Sequence, residues 1–328
     1  MVNKIKKKIL IIGITGQDGS LLAEHLINKK DVVIYGLIRK SSNRNYNNLK
    51  NFLNHKNFKI VHGDLLDVFS IENIIKKIKP QEIYNFADQD HVRWSYQIPT
   101  YSFDVTASSV LKILEIIKNN NKKIKYFHPF TSNMFGNLSK SKLSENDKFA
   151  PLSIYALGKA SAFHICEFYK NVFGLKIYGA IFFNHESERR TSEYVTRKIT
   201  QSAARIFYKK QKYLYLGDIN IRIDWGYARD YVEAAYRLMQ LKKPDFFVIG
   251  SGNAISIKYF AKKAFDYVGL DYKKYVRIDK KLYRKNTNKT LVADTSKAKR
   301  MFNFKIKTNI DKLVEIMMKN DLEIEKND

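Results

Sequence analysis

A short apolar run, Ile9-Leu10-Ile11-Ile12, ends in three glycines spaced three apart, Gly13, Gly16 and Gly19, and a helical pattern begins at once. An unbroken apolar run of this length reads as a strand buried on both faces of a parallel sheet. Gly13 permits the tight turn, Gly16 lets the backbone approach a pyrophosphate, and Gly19 lets the new helix pack on its strand. The helix start then offers free N–H groups and a partial positive charge to phosphate. A glycine triplet alone also fits an ordinary strand–turn–helix. Its place near the N-terminus, between a strand and a helix, favours a dinucleotide site.

The alternation continues. Val32–Ile38 reads as a second strand, 58–65 as a third running into Gly63-Asp64, Glu82–Ala87 as a fourth, Lys125–Phe130 as a fifth and Ile177–Phe183 as a sixth. Helical spacing marks 20–28, 68–79 (stopped by Pro80) and 108–118. Strands alternating with helices predict a doubly wound parallel sheet of Rossmann type with right-handed crossovers. Past about residue 185 the alternation loosens, with helices expected at 195–209, 231–241 and 257–268. The expected division is a dinucleotide-binding domain over 1–184 and a smaller α/β substrate region over 185–328, with some later elements returning to the first domain.

The chain of 328 residues carries a formal charge of +27, which raises the question of nucleic acid. Its lysines are scattered along the whole length rather than gathered on one element, which argues against a nucleic-acid face. An anionic small molecule suits the charge better. No apolar stretch approaches the ~20 residues needed to span a bilayer, so no membrane association is expected. The one cysteine, Cys166, has no partner for an internal disulfide and points to a reducing cytoplasm. Its helical surroundings (His164, Ile165, Phe168) suit a packed core thiol better than a nucleophile. No metal is assigned.

After the second strand, where NAD-preferring folds place an acidic residue for the ribose 2′-hydroxyl, this chain has Arg39-Lys40-Ser41-Ser42. Two cations and two hydroxyls suit a 2′-phosphate, hence NADP; the bland alternative is a solvated basic loop. Tyr155 and Lys159 stand four apart, one helical turn, on one face. A lysine held beside a phenol acidifies it electrostatically and prepares it to take a proton from a sugar hydroxyl. Thr131, 24 residues earlier in the chain and at the end of a strand, can hold the substrate oxygen.

Together these residues resemble the extended short-chain dehydrogenase/reductases and, within them, the GDP-mannose 4,6-dehydratases. The resemblance runs nearly full length, through Gly13–Ser20, Arg39–Ser42, Gly63-Asp64-Leu65, Asn184-His185-Glu186-Ser187 with Arg189-Arg190, Val195–Ile199, and Asp224-Trp225-Gly226 with Arg229–Glu233. It implies bound NADP and a GDP-sugar substrate. The implied reaction oxidises C4, eliminates water across C5–C6 and returns the hydride to C6, feeding deoxysugar synthesis for surface glycans. Tyr155 would be the C4 base, Lys159 its partner and ribose ligand, and Thr131 the C4-oxygen contact. Coenzyme contacts would come from Gly13, Thr15, Gly16, Gln17, Asp18, Gly19, Arg39, Ser42, Asp64, Leu65, Ala87, Tyr155, Lys159, His185 and Arg190. Asn184, Val195, Lys198, Arg222 and Arg284 would grip the nucleotide sugar, the arginines as bidentate donors to diphosphate. Helices around 100–118 and 155–173 would form a four-helix dimer contact, with Val105, Val110, Leu111, Ile113, Leu114, Phe163, Phe168 and Val172 as its apolar positions. The loop 39–50 would reach a neighbour's coenzyme, so a homodimer or homotetramer is implied.

Two departures matter. The glutamate that removes the C5 proton in the dehydratases is replaced by Asn133, whose amide cannot accept it. Where the family reads Asn-Leu-Ala-Ala-Gln-Ser-His-Val, this chain reads Asn85-Phe86-Ala87-Asp88-Gln89-Asp90-His91-Val92, with two new carboxylates. Either Asp88 or Asp90 supplies the missing base, or elimination is lost. In the second case a GDP-sugar epimerase or C4 oxidoreductase remains. A non-catalytic coenzyme-binding protein is a third reading, and the intact Thr131, Tyr155 and Lys159 argue against it.

Overall fold

The computed structural model describes residues 6–40, 46–138, 140–283 and 290–327. In chain order the first part runs β1 (Lys7–Ile12), α1 (Gln17–Ile27), β2 (Val32–Ile38), β3 (Phe58–His62), α2 (Val68–Ile78), β4 (Glu82–Asn85), α3 (Val92–Gln97), α4 (Pro99–Phe103), α5 (Ser109–Asn120), β5 (Lys125–Thr131), α6 (Ile154–Phe173) and β6 (Lys176–Phe182). It continues through β7 (Asn184–Glu186), α7 (Val195–Phe207), β8 (Leu214–Leu216), β9 (Arg222–Tyr227), α8 (Ala228–Met239), β10 (Phe246–Ile249), β11 (Ala254–Ser256), α9 (Ile257–Tyr267), α10 (Tyr272–Tyr275), β12 (Val276–Ile278), α11 (Ser296–Phe302) and α12 (Ile310–Asn327).

Two compact units result: Met1–Asn137 with Glu145–Phe182 and Val232–Phe247, and Leu138–Ser144 with Phe183–Tyr231 and Val248–Asp328. The first is built on a seven-stranded sheet in the order β10-β6-β5-β4-β1-β2-β3, parallel from β3 through to β6. The expected Rossmann-type sheet is therefore present. Its strand order reverses between β1 and β4, which is where such sheets bind ligands, beyond the carboxyl ends of the strands. Ile9 to Ile12 are fully buried, as an unbroken apolar run in a sheet covered on both faces must be.

Local signals explain the helices. The α2 helix starts where Asp67 accepts from the N–H groups of Phe69 and Ser70 and stops at Lys79, whose φ of 53° turns the chain left-handed before Pro80. Its buried Ile71, Ile75 and Ile78 repeat at helical spacing, each stabilising by about 1.5–3 kcal/mol. The first helix, expected from residue 20, begins at Gln17, because Gly16 caps it from an extended conformation. The α3 helix was not legible in the sequence pattern, and the helix expected around 100–118 is divided into α4, a π-helical segment over Asp104–Ser108 and α5.

The second unit has a three-stranded sheet, β11-β9-β7, and a parallel pair, β8 with β12. Its core gathers Ile199, Ala203, Trp225, Phe260, Phe265, Leu313 and Met317 from α7, β9, α9 and α12. Cys166 is fully buried in α6, a packed thiol as expected. Among the described residues no helix is long and apolar enough to cross a membrane.

Candidate active site

Gly13 has φ +81°, and a Cβ placed on it would lie 2.6 Å from the Ala87 backbone nitrogen. The turn after β1 is thus pressed against the loop after β4, at the point where the strand order reverses. At Gly19 a Cβ would meet the Gly13 carbonyl at 2.4 Å, so α1 packs onto the turn only with glycine there. At Gly16 a Cβ would come 3.3 Å from the Gly13 carbonyl, its one near neighbour, so glycine also relieves the turn there. The Thr15 carbonyl is fixed by Asn48 at 2.9 Å, and Gln17 Nε2 donates to Asp18 Oδ1 at 3.2 Å. This cradle fits a dinucleotide.

Further along the sheet edge, Arg39 is exposed and its guanidinium donates to the Tyr101 hydroxyl at 2.8 Å. Asp64 Oδ1 accepts from Leu66 N–H at 2.9 Å, and Leu65 is buried. Ala87 is half-buried in the loop after β4. In the same loop Gln89 is buried, and its Oε1 has no hydrogen-bond partner among the described residues. A buried amide oxygen left open costs about 1–3 kcal/mol, so its orphaning fits a ligand that donates there. Ser42 and Arg284 lie outside the described residues.

The α6 helix is placed by Ser153, whose hydroxyl accepts from Ala156 N–H at 3.1 Å, and ends at Gly174 in the left-handed region. Its first turns bury Tyr155 and Lys159. Lys159 Nζ donates to the Pro129 carbonyl at 2.7 Å, which ties it to β5 two residues before Thr131. Thr131 Oγ1 accepts from the N–H of Asn133 at 3.3 Å, starting a single 3-10 turn over Ser132–Phe135.

Of the two extra carboxylates, the fold sets Asp88 against the machinery. Its Oδ2 is 2.6 Å from Lys159 Nζ, and its Oδ1 accepts from Thr106 Oγ1 at 2.5 Å. Asp90 is exposed on the same loop. Behind Lys159 lie buried His128 and Cys166. Burial, with the nearby ammonium adding to it, holds His128 well below the usual histidine range; burial pushes the Cys166 thiol up. Sequence reasoning missed Thr106 and the Pro129 carbonyl. The first sits in a π-turn that no periodicity announces, and the second is backbone.

In the second unit, Asn184 is exposed, and Val195 is half-buried at the start of α7. His185 stacks on Tyr231 with ring centroids 4.7 Å apart. Arg190 lies over the Tyr194 ring and 3.4 Å from Glu186. Lys198 Nζ donates to the Tyr215 carbonyl at 2.7 Å, and burial lowers its pKa. Arg222 donates to the Ala254 carbonyl.

A family model described as GDP-mannose 4,6 dehydratase matches residues 10–317. GDP-mannose 4,6 dehydratase 1 of Arabidopsis thaliana is 41% identical over 333 residues, covering 98% of this chain and 92% of its own. Among solved structures, dTDP-glucose 4,6-dehydratase from Bacillus anthracis in complex with NAD superposes with a TM-score of 0.84 at 22% identity, covering 98% and 97% of the two chains. RMD from Pseudomonas aeruginosa complexed with NADPH gives a TM-score of 0.82 at 17% identity, covering 97% and 100%.

Proposed function

The chain belongs to the GDP-mannose 4,6 dehydratase family, and from that premise we propose that it removes water from GDP-mannose or a closely related GDP-sugar to give the 4-keto-6-deoxy sugar. The coenzyme is a nicotinamide dinucleotide, held along the turn after β1 by Gly13, Thr15, Gly16, Gln17, Asp18 and Gly19, with Asp64, Leu65 and Ala87 from the following loops. NADP is the form proposed, on Arg39 and Ser42 where an acidic residue would select NAD. When bound, this coenzyme supplies the acceptor for the C4 hydride and its donor to C6. Family position assigns His185 and Arg190 to the coenzyme and Asn184, Val195, Lys198, Arg222 and Arg284 to the nucleotide sugar.

The chain's own residues handle protons. Tyr155 takes the C4 hydroxyl proton, and the Lys159 ammonium one turn away favours its phenolate. Thr131 Oγ1 already accepts from Asn133 N–H, so its O–H is directed to donate to the C4 oxygen. With C4 a ketone, the C5 proton is acidic and needs an acceptor. The Asn133 amide is none, and both Asp88 oxygens are engaged by Lys159 and Thr106. Asp90, exposed on the same loop, is the acceptor we assign.

The single observation that supports this reading is the hydrogen bond from Lys159 Nζ to the Pro129 carbonyl, which ties α6, the helix that carries Tyr155, to β5, the strand that ends at Thr131. Incubation of the purified protein with GDP-mannose, followed by mass spectrometry, tests it. Loss of one water is expected, and Asp90→Asn should abolish that loss while coenzyme still binds. An unchanged mass with a new sugar isomer, or released reduced coenzyme, would replace the dehydratase by an epimerase or C4 oxidoreductase. A homodimer or homotetramer in a reducing cytoplasm completes the proposal. Leu111, Phe168 and Val172 stay exposed for such a contact, while Val110, Ile113 and Leu114 are spent in the chain's own core.

A further inference from the structure

Lys159 is almost wholly buried, and an ammonium is costly to bury unless something pairs with it. Its three N–H donors can be followed. One goes to the Pro129 carbonyl at 2.7 Å, and Asp88 Oδ2 stands 2.6 Å from the nitrogen as its ion-pair partner, so donor capacity is left over. Asp88 is itself held, since Thr106 Oγ1 donates to its other oxygen at 2.5 Å. Thr106 reaches that position through two uncommon local features. It lies in the π-helical segment Asp104–Ser108, and π-turns inside helices are rare and concentrate at functional sites. It also packs on Gly158, where a Cβ would come 3.1 Å from the Thr106 methyl, so the residue just before Lys159 must be small for α6 to come this close.

We propose that Asp88 is a positioning residue for Lys159: held by Thr106, it fixes the ammonium beside the Pro129 carbonyl, leaves N–H capacity for the coenzyme ribose, and tempers the positive charge felt by Tyr155. The proposal rests on the coenzyme and Tyr155 roles given above. It gives a role to a carboxylate that the family string resembled by Asn85–Val92 does not carry. It also separates the two extra carboxylates, Asp88 serving Lys159 and Asp90 the substrate.

The charge has a readable consequence. Asp88, His128 and Cys166 interact with Lys159, and Tyr155 stands one turn before it on α6. Burial keeps His128 neutral above the acidic range and raises Cys166, so neither contributes near neutral pH. Removing the Asp88 charge leaves the ammonium's field on Tyr155 untempered and favours its phenolate, so the limb of a pH–rate profile that reports this phenol should move to lower pH.

The test compares the full-length wild type with Asp88→Asn, Asp88→Glu and Thr106→Val in the pH dependence of kcat/KM for water loss from GDP-mannose. Asp88→Asn should lower kcat/KM about 10-fold or more and move the limb that reports Tyr155 down by about one pH unit. Asp88→Glu should restore that limb even where the rate stays low, and Thr106→Val should lower the rate with the limb in place. NADPH affinity, read by coenzyme fluorescence without any sugar, provides a second measure. Asp88→Asn should weaken it about 10-fold in the wild type and less than about 2-fold in a Lys159→Met background. An unmoved limb, or an equal NADPH effect in both backgrounds, would overturn the proposal. Wild-type protein that binds NADPH but leaves GDP-mannose intact would instead sink the dehydratase reading, and the NADPH cycle would still decide the role of Asp88.

Discussion

The two units bury charge for opposite ends. In the first, the buried cation Lys159 meets one carboxylate and one carbonyl, keeps a donor in hand, and stands near a loop with an orphaned Gln89 oxygen. In the second, the buried carboxylates are saturated from within the protein. Asp321 takes Arg197 at 2.7 Å and Thr200 at 2.6 Å, and Asp224 takes the Ser251 hydroxyl and the N–H groups of Ser251, Gly252 and Ala293. Glu325 collects Arg205 and Lys210. A buried charge whose partners come from within the protein holds a fold together. One with capacity left over is placed for a ligand.

The largest expected effect breaks turnover and spares the fold. Tyr155→Phe removes the hydroxyl of the proposed C4 base, and kcat should fall about 10²–10⁴-fold, the usual worth of a positioned acid–base group. Its denaturant midpoint should stay near that of the wild type. A large loss of stability with a modest loss of rate would mean that Tyr155 belongs with the structural charges of the other unit.

The converse experiment lies in that unit. Arg197→Leu strands the buried Asp321 and should cost about 3–5 kcal/mol of unfolding free energy. The sign with pH follows from the carboxyl. Burial already raises the Asp321 pKa, and Arg197 works against that rise. Without Arg197 the folded form holds the proton still more readily than the unfolded chain. The deficit should therefore grow as pH rises above the ordinary carboxyl range, and be larger at about pH 8 than at about pH 5. A pH-independent deficit would show that Asp321 does not carry the cost.

These two sites also differ in how far a sequence reader can see them. The glycine turn, the strands β1 to β6 and the Tyr155–Lys159 pair are local patterns, each within a few residues, so the sheet and its coenzyme edge were legible. Arg197 and Asp321 are 124 positions apart, and α12, which carries Asp321, packs against α7 by an association that no short-range pattern encodes. The Asp88–Lys159 pairing was half legible. The carboxylate stood out as unusual, but its direction depends on a π-turn and on Gly158. Asn133→Glu tests that half from the substrate side. If the missing C5 base is what limits elimination, the exchange should raise kcat for water loss about 10–100-fold, by mass spectrometry. No gain would mean that the present chain already has an efficient proton acceptor, and Asp90→Asn in that background would then identify it.

The smallest effect is the most discriminating, because it applies one chemistry to both units. Ser153 caps α6 through Ala156 N–H, and Ser256 caps α9 through Tyr259 N–H, both at 3.1 Å. Replacing either by alanine orphans one helix donor and should cost about 1 kcal/mol of stability. The two should part in turnover. The helix capped by Ser153 presents Tyr155 in its first turn, so fraying there displaces the phenol and should lower kcat several-fold. The helix capped by Ser256 buries Phe260, Ala261, Ala264 and Phe265 in a core remote in sequence from the proton-handling residues, so its fraying should cost stability alone. Equal losses of kcat in the two variants would tie the second core to the chemistry. Equal stability with unequal kcat would show the division of labour at its finest grain, one hydroxyl in each unit.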